Sequence, residues 1–311
     1  MAVPLEPRDV DFVTVTFEGD ARLAVLQVLS VDRLLDHENV SRYIIILNGQ
    51  DNAAVETFLR ASVEPKISPE LAAKIEYVPA SELLPCNDPQ GWRGQQLLKL
   101  VVANYSTARY YLVLDAKNHF IHRTLVSDFF TETAIKTVRR PAPKVQRDWI
   151  KGSFGSFGAA DRASELFETA MPTVTPYLMD KDIVREMMSA LESKHSGKAF
   201  GDLFEAELST ATEFFLYWAY LFATGQEELY EHSDKMAVTL FTKYPRRSSD
   251  FLALLDSARA DRVAMFGLHR RRLPQLSDVQ RTLIFGLWGT ELLTADEDAA
   301  WFMEYENPIS A

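Results

Sequence analysis

The chain has 311 residues and a formal net charge of −11, from 33 Lys plus Arg against 44 Asp plus Glu. That length fits one large domain or two small ones, and the acidic balance lacks the basic field that draws proteins to nucleic acid, so no nucleic-acid partner is expected. The single cysteine, Cys86, sits in a Pro-Cys-Asn-Asp-Pro turn; it excludes an internal disulfide or a multi-cysteine zinc site and fits a reducing cytoplasm. Met1–Asp11 carries Glu6, Arg8 and Asp9 and no apolar signal core. The longest apolar run, Phe214–Ala223, is about half the length of a bilayer span. A soluble, cytoplasmic protein is expected.

The first third alternates strand and helix signals. Asp11–Phe17 is β-branched and aromatic and stops at the turn cluster Glu18-Gly19-Asp20. A helical stripe follows over Ala21–Leu35, then the continuous apolar run Tyr43–Leu47, which reads as a strand buried on both faces and ends at Asn48-Gly49. A helix over Ala53–Ala61, a strand over Lys74–Val78, a helix over Gly94–Tyr105 and a strand over Tyr110–Leu114 complete the alternation. Strands spaced by helices imply crossover connections, hence an open, mostly parallel α/β sheet flanked by helices. Beyond residue 160 the pattern turns mostly helical, with helices over Ala163–Ala170, Lys181–Leu191 and Thr212–Thr224 and strand-like pieces at Met236–Phe241 and Arg262–Gly267. Gly152-Ser-Phe-Gly-Ser-Phe-Gly158 between the halves reads as a flexible connection or as a lid over a ligand. The expected organisation is an α/β half, 1–157, and a mostly helical half, 158–311. The first holds 18 basic and 19 acidic side chains and the second 15 and 25, so the first is better suited to an anionic ligand.

In open α/β sheets ligands collect beyond the carboxyl ends of the strands. That rule selects Thr16–Asp20, Asn48–Asp51 and Asp115–His119. Familiar motifs are missing there: no Gly-x-x-x-x-Gly-Lys loop, no Gly-x-Gly-x-x-Gly after the first strand, no Gly-x-Ser-x-Gly elbow and no His-Glu-x-x-His. Two segments stand out. Gly91-Trp-Arg-Gly-Gln-Gln-Leu-Leu-Lys-Leu100 places Gln95 or Gln96 and Lys99 on one helix face. Tyr110-Tyr-Leu-Val-Leu-Asp-Ala-Lys-Asn-His-Phe120 ends a buried strand on Asp115, which either projects into the strand-end crevice or organises a turn.

These two segments resemble a bacterial family of uncharacterised, DxD-type glycosyltransferases similar to the GT-A nucleotide-sugar transferases. The resemblance runs from Asp11 to Phe120 and returns at Val174–Met179, Thr212–Tyr217 and Gly267–Arg270. It implies a GT-A-like fold with a helical acceptor-side elaboration, and a divalent cation, Mn²⁺ or Mg²⁺, at the donor phosphates. Asp115 matches the first acid of the Asp-x-Asp pair, but Lys117 stands where the second usually is. A cation there repels a metal and can itself contact phosphate; Asn118 or His119 could supply the missing ligand, and His269 is a late metal or phosphate ligand or plain surface beside Arg270, Arg271 and Arg272. The resemblance places an acid that activates the acceptor hydroxyl near Glu213; the same residue also completes a capping box, Thr210-Ala-Thr-Glu213.

The expected function is transfer of a sugar from a nucleotide-sugar to a hydroxyl of a glycan or lipid-linked saccharide, with inversion, in polysaccharide biosynthesis. Asp115 and Glu213 are the catalytic candidates. Thr16, Asn48, Gln96, Lys99, Lys117 and Asn118 are placed at the donor, Asp115 and His269 at a metal, and Thr175 and Tyr217 on the acceptor side. A lipid-linked acceptor allows a peripheral place at the inner face of the membrane. The alternatives are a nucleotidyltransferase, or a non-catalytic protein that binds sugar or nucleotide.

Overall fold

The computed structural model of the protein describes residues 9–84, 91–138, 141–168, 174–233, 236–242, 245–306 and 309. Cys86 and its turn lie outside the described residues. A central, mostly parallel sheet runs through strands β1 (Val10–Thr16), β2 (Val40–Leu47), β3 (Ile75–Pro79), β4 (Tyr110–Asp115) and β6 (Tyr177–Asp180), in the order β3-β2-β1-β4-β6. β6 is the antiparallel member, with Tyr110 opposite Asp180 and Val113 opposite Tyr177. β1, residues 43–47 of β2 and residues 110–114 of β4 are buried throughout, as continuous apolar runs in a helix-covered sheet should be. Among the described residues no helix is long and apolar enough to cross a membrane.

The chain divides into two compact units. The first comprises Met1–Val13, Val78–Val113 and Phe129–Asp234; the second comprises Thr14–Tyr77, Leu114–Asp128 and Lys235–Ala311.

In the first unit the main helices are α3 (Gly91–Val101), α4 (Lys144–Gly155), α5 (Lys181–Lys194) and α6 (Glu213–Thr224). Arg93 of α3 donates to the carbonyls of Phe204, Leu208 and Ala211, closing the end of the short Phe200–Ala206 helix. The glycine-rich patch is neither linker nor lid over its first residues: 152–155 are the last turn of α4, with Ser153 and Phe154 buried. Gly152 is required there, because a Cβ would lie 2.3 Å from Thr210 Oγ1 and 2.7 Å from its carbonyl oxygen. The expected Ala163–Ala170 helix is instead a 3-10 stretch over Ala160–Leu166.

The second unit contains α1 (Ala21–Leu34), α2 (Asn52–Val63), α7 (Asp278–Glu291) and a three-stranded sheet. In that sheet β7 (Ala237–Leu240) pairs parallel with β8 (Met265–Leu268), which pairs antiparallel with β5 (Asn118–Phe120). Residues 21–31 of α1 are all buried, so the helix is sunk in the core rather than laid on it. Its one buried amide, Gln27, is shared between three strands. Gln27 Oε1 accepts from Thr14 Oγ1 of β1 and Tyr43 Oη of β2, both at 2.8 Å, and its Nε2 donates to the Asp115 carbonyl at the end of β4, also at 2.8 Å. Gln27→Leu takes this amide away from the Asp115 carbonyl and from two buried hydroxyls that lie 3.4 Å from each other, and should lower unfolding free energy by about 1–3 kcal/mol, measured by urea denaturation.

Candidate functional site

The sheet order reverses beside β1: β2 and β3 follow on one side and β4 lies on the other. The crevice at such a switch point, outside the carboxyl ends of the strands, is where open α/β sheets bind ligands. The ends of β1, β2 and β4 all belong to the second unit. There β1 leads through Phe17 into a single 3-10 turn, Glu18–Asp20, and directly into α1. Gly19 permits this: a Cβ would lie 2.7 Å from Phe17 Cε2 and 3.2 Å from Arg270 Cζ. Arg270 stands 5.2 Å over the Phe17 ring and donates through Nε to Asp20 Oδ1 at 3.1 Å. Glu18 Oε1 accepts the Asp51 N–H at 2.8 Å, ahead of α2.

At the end of β4, Asp115 is ion-paired through Oδ2 with Lys117 Nζ. Asn118 Oδ1 accepts the Asp115 N–H at 3.0 Å, and the Lys117 carbonyl accepts the Leu268 N–H at 3.0 Å, which sets His269 beside the same turn. His269 Nδ1 accepts the Arg271 N–H at 3.1 Å. Burial first, and then Lys117, lower the His269 imidazole to about 4, so it is neutral at physiological pH. Burial pushes the Asp20 carboxyl up to about 6, against the opposing pull of Arg270 and Lys117. Thr16 and Asn48 are adjacent through a 2.8 Å bond from the Asn48 N–H to the Thr16 carbonyl. Both are buried, and neither Thr16 Oγ1 nor Asn48 Nδ2 has a hydrogen-bond partner among the described residues.

Asp115, Lys117, Asn118 and His269 therefore come together at one turn, with Thr16 and Asn48 at the neighbouring strand ends of the same unit. Asp20 falls within the Thr16–Asp20 segment that the strand-end rule selects, and the arginine triplet is open either to phosphate or to solvent, but the pairing of Asp20 with Arg270 is not predicted. The turn cluster after β1 was visible, but nothing in the sequence joins Asp20 to a residue 250 positions away. Two proposed ligands are spent on structure. Asn118 is fully enclosed. His119 is buried, and its Nε2 accepts the Trp288 indole N–H at 2.8 Å.

A divalent cation does not fit the side chains as arranged. The acid at the strand end is closed on an ammonium, the second carboxylate on a guanidinium, and the one imidazole stands among Lys117, Arg270 and Arg271. Among the described residues no three His, Cys, Asp or Glu side chains are grouped to hold an ion. The chemistry of this set is that of cations held ready for oxyanions.

The remaining candidates lie in the first unit. Lys99 Nζ is 3.5 Å from Glu213 Oε1, with 8% and 5% of their side chains exposed. Glu213 is the first residue of α6 and Thr212 its N-cap, so the expected capping box with Thr210 is absent. As a base Glu213 would need an open side and release from Lys99; as placed, it is half of an enclosed ion pair. Gln96 is 1% exposed and both of its amide atoms lack a partner among the described residues. Tyr217 does not line a groove. It is fully buried, its Oη accepting from the Asp180 N–H at 3.2 Å and bonded to Tyr230 Oη at 2.9 Å. Thr175 is buried as well.

Residues 14–246 match a family described as "Family of unknown function (DUF6492)". The chain belongs to this family. Its structure is similar to that of the galactosyltransferase LgtC in complex with donor and acceptor sugar analogs, at 14% identity over 93% of this chain and 98% of the other, with a TM-score of 0.48. An active-site mutant of LgtC gives 15% identity over the same shares, with a TM-score of 0.46. The bifunctional glycosyltransferase WbbM, in its apo structure, gives 10% identity over 85% of this chain and 46% of the other, with a TM-score of 0.45. No functionally curated protein matches the chain in sequence.

Two expectations follow from the buried groups. Burial lowers the His119 imidazole from 6.5 to about 3, so between those values the folded chain binds fewer protons than the unfolded one. Stability conferred by His119 is complete above pH 6.5 and is lost as pH falls towards 3; Asp20, raised to about 6, contributes in the opposite sense, losing stability as pH rises through that value. His119→Gln keeps an acceptor for Trp288 and should flatten the acid-side fall, seen as a stability difference from the unaltered chain that shrinks on acidification. Glu213→Gln leaves the Lys99 ammonium buried without its carboxylate and should cost about 3–5 kcal/mol. Lys99→Met combined with Glu213→Leu should restore most of it. A loss under about 1 kcal/mol in the single variant, by urea denaturation, would show that the pair does not hold the unit together.

Proposed function

We propose that this chain is a glycosyltransferase that holds the diphosphate of a nucleotide-sugar donor at the carboxyl ends of β1 and β4 and passes the sugar to a hydroxyl of a glycan or lipid-linked saccharide. The observation that carries the reading is the pair of matched ion pairs at the switch point, Asp115 with Lys117 and Asp20 with Arg270. Departure of a nucleoside diphosphate builds negative charge on phosphate oxygens, and preset cations stabilise that charge without reorganising. In this reading Lys117 and Arg270 exchange their carboxylates for phosphate oxygens, and Arg271 adds a third cation. Lys117 thereby takes the place of the cation that an Asp-x-Asp pair would hold. Thr16 Oγ1 and Asn48 Nδ2, without a hydrogen-bond partner among the described residues, are hydrogen-bonding groups for the nucleoside. Asp115 positions Lys117, and His269, neutral and capping Arg271, shapes the phosphate side of the turn. Inversion through Glu213 requires the Lys99 ammonium to release that carboxylate.

Incubation with a panel of nucleotide-sugars and saccharide acceptors should yield transfer with release of nucleoside diphosphate. EDTA should leave the rate essentially unchanged, and Lys117→Ala should lower kcat/KM by about 10²–10³-fold, the scale of losing one charge-stabilising donor. Transfer abolished by EDTA and restored by Mn²⁺, with a mild Lys117→Ala, would return the site to a metal. Pyrophosphate release from a nucleoside triphosphate would make the chain a nucleotidyltransferase. Tight nucleotide-sugar binding with no turnover would make it a binding protein.

A further inference from the structure

The most basic stretch of the sequence is not in the candidate site. Residues 136–151 carry six Lys or Arg and one acid, Asp148, in a chain whose net charge is −11. Helix α4 (Lys144–Gly155), in the first unit, forms the second part of this stretch and has two unlike sides. Ile150, Ser153 and Phe154 are buried, with Phe154 5.5 Å from Phe222 of α6. Lys144, Arg147 and Lys151, at helical spacings of three and four, run along an outer edge. Arg147 and Lys151 rest over the Phe167 ring at 4.8 and 5.9 Å, and Arg147 reaches the exposed Glu168 at 3.7 Å. Val145 and Trp149, one turn apart, occupy the flank beside that edge. Val145 is 75% exposed, and the Trp149 ring meets that of Trp92, itself 57% exposed, at 5.4 Å.

We infer that this face of α4, with Trp92, docks the protein on an anionic phospholipid bilayer, the helix lying in the plane of the interface. Tryptophan prefers the boundary where one edge is wet and the other apolar, and an exposed valine gains only if something apolar covers it. Long basic side chains lay their stems on the acyl boundary while their charges reach the headgroups. Lys144, Arg147 and Lys151 outnumber the acids beside them, Asp148 and the Glu168 that Arg147 meets, and that positive balance suits an anionic bilayer. A saccharide stacked on Trp92 and Trp149 would call for hydroxyl-binding carboxylates and amides, and apart from Asp148 and the half-buried Gln146 the side chains of α4 that reach solvent are cationic or apolar. The inference is independent of what the chain transfers. If the acceptor is lipid-linked, docking brings the enzyme to it.

The test uses the full chain with vesicles of phosphatidylcholine alone and of equimolar phosphatidylcholine and phosphatidylglycerol, read by co-sedimentation. Partition into the anionic vesicles should exceed that into the neutral ones by about tenfold or more and fall at high salt. Lys144→Glu with Lys151→Glu should lower it by about 25-fold or more, at about fivefold for each basic residue removed from the surface. Trp92→Phe should reduce a vesicle-induced blue shift in tryptophan emission, with Trp149 supplying the remainder. All three positions are exposed, and an unchanged melting curve confirms that the variants are folded. Equal binding to both vesicle types, no binding to either, or undiminished binding by the charge-reversed variant would overturn the inference. So would capture by a soluble acidic polysaccharide without vesicle binding.

Discussion

Three strand ends reach their positions through one side chain. Gln27 is the buried amide of a helix whose residues 21–31 are all buried, and its amide is used up by Thr14, Tyr43 and the Asp115 carbonyl. A buried amide that is fully bonded fixes register, because sliding any strand by one residue would leave polar groups in the core without partners. The Asp115 carbonyl is tied to α1 from one side while its N–H is tied to Asn118 from the other. The carboxylate between them is therefore delivered at a set place, and Lys117 with it. The charged turn is a consequence of core packing, not an independent surface feature.

The same logic explains why the C-terminal segment returns to this turn. β8 pairs with β5, so the residue after β8 arrives where β4 ends, and that residue is His269, followed by Arg270. α7 then supplies Trp288, whose indole N–H needs an acceptor in the core and finds it in His119. Keeping that imidazole unprotonated is what makes it an acceptor, and burial does so. His119 thus locks β5, β5 locks β8, and β8 aims the cations.

Much of this was legible from residues and some was not. β1, β2 and β4 were readable because each is a β-branched, aromatic or apolar run bounded by a turn cluster, and α1, α2, α5 and α6 because their ends fall within three residues of the expected ones. β6 was missed: Tyr177–Asp180 is four residues long and becomes a strand only because β4 offers it an edge. Gly152–Gly155 read as loop by composition, yet the close approach of Thr210 selects glycine inside a helix. Glu213 matched a capping box from Thr210, but the N-cap falls two residues later than that motif needs, at Thr212. The strand-end rule located the site without chemistry. What it could not reveal was pairing: Asp20 with Arg270, and Lys117 turned back on Asp115, are facts of tertiary geometry.

Those pairings decide how a donor would be received. Two carboxylates and two of the neighbouring cations neutralise each other in the resting site, so an incoming diphosphate gains no net field from them until it competes for the same donors. Competition is favourable because phosphate oxygens can accept from several donors at once. The displaced carboxylates are then left near new negative charge. Asp20 tolerates this because its carboxyl is already lifted to about 6 even with Arg270 bonded to it. Removing Arg270 takes away the influence that most lowers it, so the carboxyl becomes neutral by taking up a proton. Asp115, 27% exposed beside Asp20 at 24%, keeps the same access to water. The two ion pairs look alike in the resting structure. In the proposed reading Asp20 leaves its pair by taking up a proton, and water reaches both carboxylates as they are displaced, because each keeps about a quarter of its side chain exposed.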